Sequence, residues 1–160
     1  MTLTIDQLAK RPELLPSVAR WIYAEWWQDS QDASVTRVTE LLRPHLVPDR
    51  MPMTLVASIG PDPVGTASLL AHDVGTERWP RLSPWLAAVY VVPEFRRQGV
   101  GTALVASVLA HAGVLGTTMI YLLTMGRESF YVRLGWSVLD RVGARTVMSR
   151  ELAPVAAQGS

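Results

Sequence analysis

The chain of 160 residues contains no cysteine. Disulfides, thiolate nucleophiles and thiolate-ligated metals are thereby excluded. Histidine is scarce as well: His45, His72 and His111 stand far apart, without the spacing of a ligand set, so no metal is expected. Lysine is nearly missing, Lys10 being the only one among 15 basic residues. A phosphate loop of the Gly-Lys-Ser/Thr kind therefore has no lysine to build on. Net charge is only +1, with no basic face or tail of the kind nucleic acid requires. No apolar run approaches the roughly 20 residues of a membrane span. The start, MTLTIDQLAKRPELLPS, lacks a basic stretch followed by an apolar core. The expectation is a soluble cytoplasmic protein without nucleic-acid or membrane partners.

What is present is a core. Hydrophobic residues make up 49% and charged residues 18%, a globular composition. The length suits one domain, expected over 1–152, with APVAAQGS (153–160) as a flexible tail. LTIDQ (3–7) reads as a first strand. RPELLPSVARWIYAEWWQ follows as a helix, with prolines near its start and Leu15, Val18, Ile22 and Trp26 as an apolar stripe. A second helix is expected over about 34–46, with Ser34 as N-cap. Strands at 53–60 and 64–72 flank a turn at 61–63, and a loop covers 73–83. PWLAAVYVV (84–92) is nearly continuous apolar, as a buried central strand is. Gly99 to about Ala112 predicts a helix and TMIYLLT (118–124) another strand. A short helix spans 126–135, closed by Gly135, and two strands, 136–142 and 145–152, turn about Gly143 and Ala144. The order implies an α/β (α+β) fold, a mixed sheet with helices on both faces.

The segment VYVVPEFRRQGVGTALV (89–105) carries the chemistry. It joins the predicted central strand to a helix through two glycines one residue apart. Missing side chains at Gly99 and Gly101 open the backbone to a ligand. The unpaired N–H groups of a helix's first turn, with the helix dipole, attract an anion. Arg96 and Arg97 add charged donors. A dinucleotide fingerprint would need a third glycine where Leu104 stands. A nucleotide-phosphate binder is disfavoured by the missing lysine. Close helix–sheet packing would also explain the glycines.

The longer pattern resembles the acetyl-CoA signature of the GNAT superfamily of N-acetyltransferases, V-x-P-x-x-R-x-x-G-x-G/A, at Val91, Pro93, Arg96, Gly99 and Gly101. SFYVRLGW looks like that family's second signature, with Tyr131 placed 32 residues after Gly99. The order of elements matches as well. The resemblance implies a mostly antiparallel sheet of six to seven strands with a splayed central pair and about four helices. It implies acetyl-CoA as cosubstrate, no metal, and a small-molecule or peptide amine as acceptor, attacked directly in a ternary complex. A homodimer is common in such folds. By resemblance, backbone groups of Val89, Tyr90 and Val91 pair with the pantetheine arm. Those of Arg97, Gln98, Gly99, Val100, Gly101 and Thr102, with the Arg96 side chain nearby, hold the pyrophosphate. The asparagine many members place near TMGRES is missing, and Thr124 is the substitute donor.

The resemblance gives Tyr131 the part of general acid toward the leaving thiolate, a role open to a phenol that is neutral at pH 7. No base is evident: the strands PWLAAVYVV and MIYLLT hold no carboxylate. Glu25, His72, Asp73 and Glu77 are the alternatives, beside a water chain. Tyr23, Glu25, Trp27 and His72 are read as acceptor-side residues, whereas Trp21 and Trp26 are expected to fill the core and His111 to pack on its helix. A non-catalytic acyl-CoA-binding module is the competing reading.

Overall fold

The structure, a computed structural model, describes residues 2–153. Seven strands form one sheet: β1 (Leu3–Gln7), β2 (Met53–Ile59), β3 (Asp62–Leu70), β4 (Trp85–Val91), β5 (Met119–Thr124), β6 (Ser137–Val142) and β7 (Arg145–Glu151), in the order β1-β2-β3-β4-β5-β7-β6. All neighbours run antiparallel except β4 and β5. The four α-helices are α1 (Leu15–Ile22), α2 (Val35–Leu42), α3 (Val100–Val114) and α4 (Glu128–Arg133). This is the mixed sheet with a splayed central pair that the resemblance implied, β4 and β5 meeting at a single register pair. Of the tail read at 153–160, residues 154–160 lie outside the described residues.

Two cores sandwich the sheet. Alternation along each strand sends odd and even residues to opposite faces. On β2, Met53, Leu55 and Ala57 meet Val100, Leu104, Val105 and Val108 of α3. On the other face Val56 packs with Leu15, Val18 and Ile22 of α1 and Val38 and Leu42 of α2. Ser34 caps α2 as expected, its Oγ accepting from the Arg37 N–H at 3.0 Å. Among the described residues no helix is long and apolar enough to cross a membrane.

Three expectations need correction. The first hairpin is tighter than expected, because β3 already starts at Asp62, opposite Ile59, so the turn is Gly60–Pro61 rather than 61–63. The first helix does not stay α-helical: Tyr23–Trp27 is a π-helix. Its i→i+5 bonding changes the angular step, which breaks the stripe read from Leu15 to Trp26. Trp26 is accordingly 47% exposed rather than in the core. The third concerns β4, which is buried only over Trp85–Ala87 and half-buried beyond.

Candidate active site

The half-buried end of β4 follows from two irregularities. On one side, β3 pairs Ser68 with Ala87 and Thr66 with Tyr90, so one residue too many lies on β4. This is a β-bulge. Ala88 takes φ +53, and neither Ala88 nor Val89 has a register partner on β3. On the other side, β5 meets β4 at Trp85↔Tyr121 alone. Past that point the parallel pair splays, and the β5-facing edge of Val89, Tyr90 and Val91 carries no ladder. An open, unpaired strand edge is what an extended ligand can pair with. Thr124 lies buried at the far end of β5, across the splay.

The turn leaving β4 is braced from within. Pro93–Phe95 forms a single 3-10 turn. Arg96 Nε donates to the Val91 carbonyl at 2.8 Å, and the guanidinium lies 5.5 Å from the Tyr90 ring centroid. Tyr90 in turn stacks on Trp21 of α1, with centroids 5.7 Å apart. Arg96, expected as a phosphate donor, is thus first a strut joining turn, strand and α1. Gln98 Nε2 donates to the Glu94 carbonyl at 3.1 Å.

Arg97 has φ +62 and Gly99, the N-cap of α3, φ +86. The first N–H bonded back into the helix is that of Ala103, to Gly99 O at 3.0 Å. The N–H groups from Gln98 to Thr102 thus precede the ladder and have no backbone acceptor. A Cβ added at Gly99 would meet nothing within 4 Å. One added at Gly101 would touch Phe130 Cζ at 3.6 Å and Val91 Cγ2 at 3.7 Å, ordinary contact distances. Neither glycine is demanded by helix–sheet packing, which removes that explanation of the pair. A cradle of free N–H groups at a helix N-terminus fits a pyrophosphate.

Tyr131 sits on α4 with its ring edge against Phe130 and Trp136, at centroid distances of 5.0 and 6.0 Å. Gly135, φ +94, closes that helix as expected, letting the Trp136 N–H reach back to Tyr131 O at 3.0 Å. The Tyr131 side chain is buried, and burial pushes its phenol up to about 12, against a smaller opposing effect of Arg127. Among the described residues the hydroxyl has no hydrogen-bond partner. Among the described residues, Trp136 Nε1 is the only fully enclosed side-chain polar atom without a partner. The Tyr131 oxygen is therefore not enclosed, so the ring is fixed while the hydroxyl stays free and protonated.

The opposite face of the splay is covered by α1 with its π-helical extension and by residues 71–84. Tyr23 and Trp27, read as free for a ligand, instead pack partly against the α1/α2 core. Glu25 is exposed. His111 behaves as expected, its Nδ1 2.8 Å from the Ser107 carbonyl. The stretch expected to be a loop at 73–83 is pinned to the sheet. Gly75 O accepts from Arg145 Nη1 at 3.3 Å, Trp79 Nε1 donates to Asp140 Oδ2 at 2.8 Å, and a Cβ on Gly75 would lie 3.5 Å from Leu123 Cδ2 of β5. His72, which is exposed, lines a cleft there with Asp73, Thr76, Glu77 and Pro80. Burial, with Glu77 nearby, pushes the Asp73 carboxyl up to about 6, although the Val74 N–H bond opposes it. Among the described residues no three His, Asp or Glu side chains gather as a metal site.

Comparison with known proteins agrees with this geometry. The model of the acetyltransferase (GNAT) family matches residues 16–136. Among solved structures, an aminoglycoside 6'-N-acetyltransferase complexed with coenzyme A superposes with a TM-score of 0.73 at 16% identity, over 96% of this chain and 99% of that one. An aminoglycoside 6'-acetyltransferase type Ii gives 0.71 at 20% identity, over 97% and 99%. The PaiA N-acetyltransferase of Thermoplasma acidophilum, in complex with coenzyme A, gives 0.61 at 19% identity, over 94% and 99%. No curated protein sequence matches this one.

Proposed function

Because the chain belongs to the acetyltransferase (GNAT) family, and is by that membership an acyltransferase, we propose that it moves an acetyl group from acetyl-CoA to a primary amine by direct attack in a ternary complex. The observation that carries this is the coincidence of the open β4 edge, the unfilled N–H cradle at Gly99–Thr102 and the free Tyr131 hydroxyl. Two of the structural neighbours, crystallised with coenzyme A, support the cosubstrate. The reaction is assigned to the cytoplasm, as read from the sequence.

When bound, acetyl-CoA supplies a thioester, an acyl carbon open to attack with a thiolate leaving group. The chain supplies the rest. N–H groups from Arg97 to Thr102 hold the pyrophosphate, helped by the positive end of α3. The open edge at Val89, Tyr90 and Val91 aligns the pantetheine arm, with Thr124 across the splay. The bulged backbone at Ala88 and Val89, without register partners, offers an N–H to the developing oxyanion. Tyr131 gives its proton to the leaving sulfur; a phenol pushed up to about 12 stays protonated throughout the physiological range. Glu25 and His72 border the acceptor side.

The test is titration with acetyl-CoA, followed by detection of free thiol with a panel of polyamines, aminoglycosides, amino acids and short peptides. Saturable binding and thiol release with at least one amine are expected. Binding without release by any amine would reduce the protein to an acyl-CoA-binding module, and no binding would remove the reading altogether.

A further inference from the structure

The site as described has no proton acceptor assigned. Neither strand of the splay carries a carboxylate, so a side-chain base has to come from what covers it. The covering segment 71–84 provides one place where carboxylates face a cavity, the cleft of about 420 Å³ lined by His72, Asp73, Thr76, Glu77 and Pro80. Its position is fixed by Gly75, which rests on Leu123 beside the splayed end of β5 and is held by Arg145. The two carboxylates are held differently. Glu77 Oε1 accepts from the Gly75 N–H at 3.3 Å. Asp73 Oδ1 accepts from the Val74 N–H at 2.8 Å, and the Thr76 hydroxyl binds the Asp73 carbonyl at 2.5 Å. Among the described residues Asp73 Oδ2 has no partner, and no cation pairs with Asp73. Of the arginines of this region, Arg145 is engaged at Gly75 and over the Trp79 ring, and Arg78 and Arg81 line a separate cleft with Trp79, Leu82 and Asp140.

We propose that Asp73 is the general base of the reaction, taking the proton of the acceptor ammonium in the cleft it lines with His72, Thr76 and Glu77. The proposal rests on the acetyltransferase reading above. A half-buried carboxylate without a countercharge is costly to keep for structure alone, and such groups concentrate where chemistry is done. Burial, with Glu77 and against the Val74 N–H bond, brings it up to about 6, closer to the range where a base works at physiological pH, and the same two carboxylates attract a cationic amine. Two protons leave the nitrogen. The first passes to Asp73 and on to solvent. The second, shed as the C–N bond forms and the C–S bond breaks, replaces the one Tyr131 gives to the thiolate.

The experiment is Asp73→Asn, which removes a buried charge and keeps the shape. Rates of thiol release are measured across pH with primary alkylamines and with hydroxylamine, which is neutral at pH 7, alongside acetyl-CoA affinity and a carbon-13 carboxyl titration of the aspartates. D73N is expected to lower kcat for alkylamines by at least about tenfold. It should spare hydroxylamine and leave acetyl-CoA affinity unchanged. It should also remove one carboxyl resonance that titrates near 6 in the wild type. An unchanged alkylamine rate, an equal loss with both kinds of amine, or no aspartate titrating near that pH would overturn Asp73 while leaving the transferase intact. Acetyl-CoA bound without thiol release by any amine would instead overturn the transferase reading, and this inference with it.

Discussion

The Cβ that Gly65 lacks would fall 2.9 Å from the carbonyl oxygen of Tyr90 on the neighbouring strand. It would also lie 3.0 Å from Leu104 Cδ1 of α3. The glycine that lets α3 settle over the β3–β4 pair is therefore Gly65, on β3, and not the pair in the signature turn. Gly65→Ala is expected to destabilise the fold by about 1–3 kcal/mol, because one of the obstructing atoms is backbone and overpacked cores cost that much. Denaturant unfolding measures it. The strain falls on Tyr90 in the proposed pantetheine edge, so acetyl-CoA affinity should fall too.

Gly101→Ala should do the reverse. The added carbon meets only ordinary contacts, and alanine is favoured over glycine in a helix. Stability is expected to hold or rise by up to about 1 kcal/mol. Gly101 belongs to the proposed anion cradle and its added carbon lies beside Val91 of the proposed pantetheine edge, so the Kd for acetyl-CoA should rise at least ~tenfold, about 1.4 kcal/mol. Calorimetric titration and thermal melting of one variant separate the two effects. Unchanged affinity would place the pyrophosphate elsewhere.

These two glycines show what a sequence discloses. The strand-to-helix turn was legible because proline, arginine and two glycines punctuate it locally. Gly65 was not, since its reason lies in Tyr90 and Leu104, residues distant in sequence. The bulge was also invisible: nothing in LAAVY marks Ala88 for a positive φ, and alanine has no preference for it. Trp26 leaves the helical stripe because the chain passes through a π-helical turn whose different bonding has no residue signature. The cleft at Asp73 depends on 71–84 folding back over β5 and β7, a tertiary choice made by Trp79, Arg145 and Asp140 together. Only the kinds of residue involved could be named beforehand, not their meeting.

Tyr131→Phe removes an oxygen without a hydrogen-bond partner among the described residues, so the melting temperature should stay put. If the phenol protonates the leaving sulfur, kcat should fall well over tenfold, more than about 1.4 kcal/mol of barrier, with acetyl-CoA affinity little changed. Because burial pushes the phenol up to about 12, no alkaline limb from Tyr131 should appear in the wild-type profile below pH 10. Steady-state rates across pH for both proteins decide the matter; equal kcat values would remove Tyr131 from the chemistry.

A last prediction concerns stability and acid. His45, buried after α2, has its Nδ1 2.7 Å from Thr54 Oγ1, which is 2.7 Å from Ser68 Oγ. Burial lowers the imidazole to about 4. The unfolded chain, with an ordinary histidine, then binds more protons than the fold between about pH 6.5 and 4, so stability falls as pH drops through that window. At full extent the loss is on the order of 3 kcal/mol. Asp73 works in the opposite sense: its raised carboxyl makes the fold bind more protons between about 3.8 and 6, so its contribution grows as pH falls. The wild type sums the two. His45→Asn, whose amide can still meet the Thr54 hydroxyl, should lose less stability than the wild type on going from pH 7.5 to 4.5. D73N should lose more, and should exceed the wild type at pH 8, where its missing charge no longer has to be buried. Chemical denaturation at those pH values tests both signs, and parallel curves for all three proteins would show that neither burial matters.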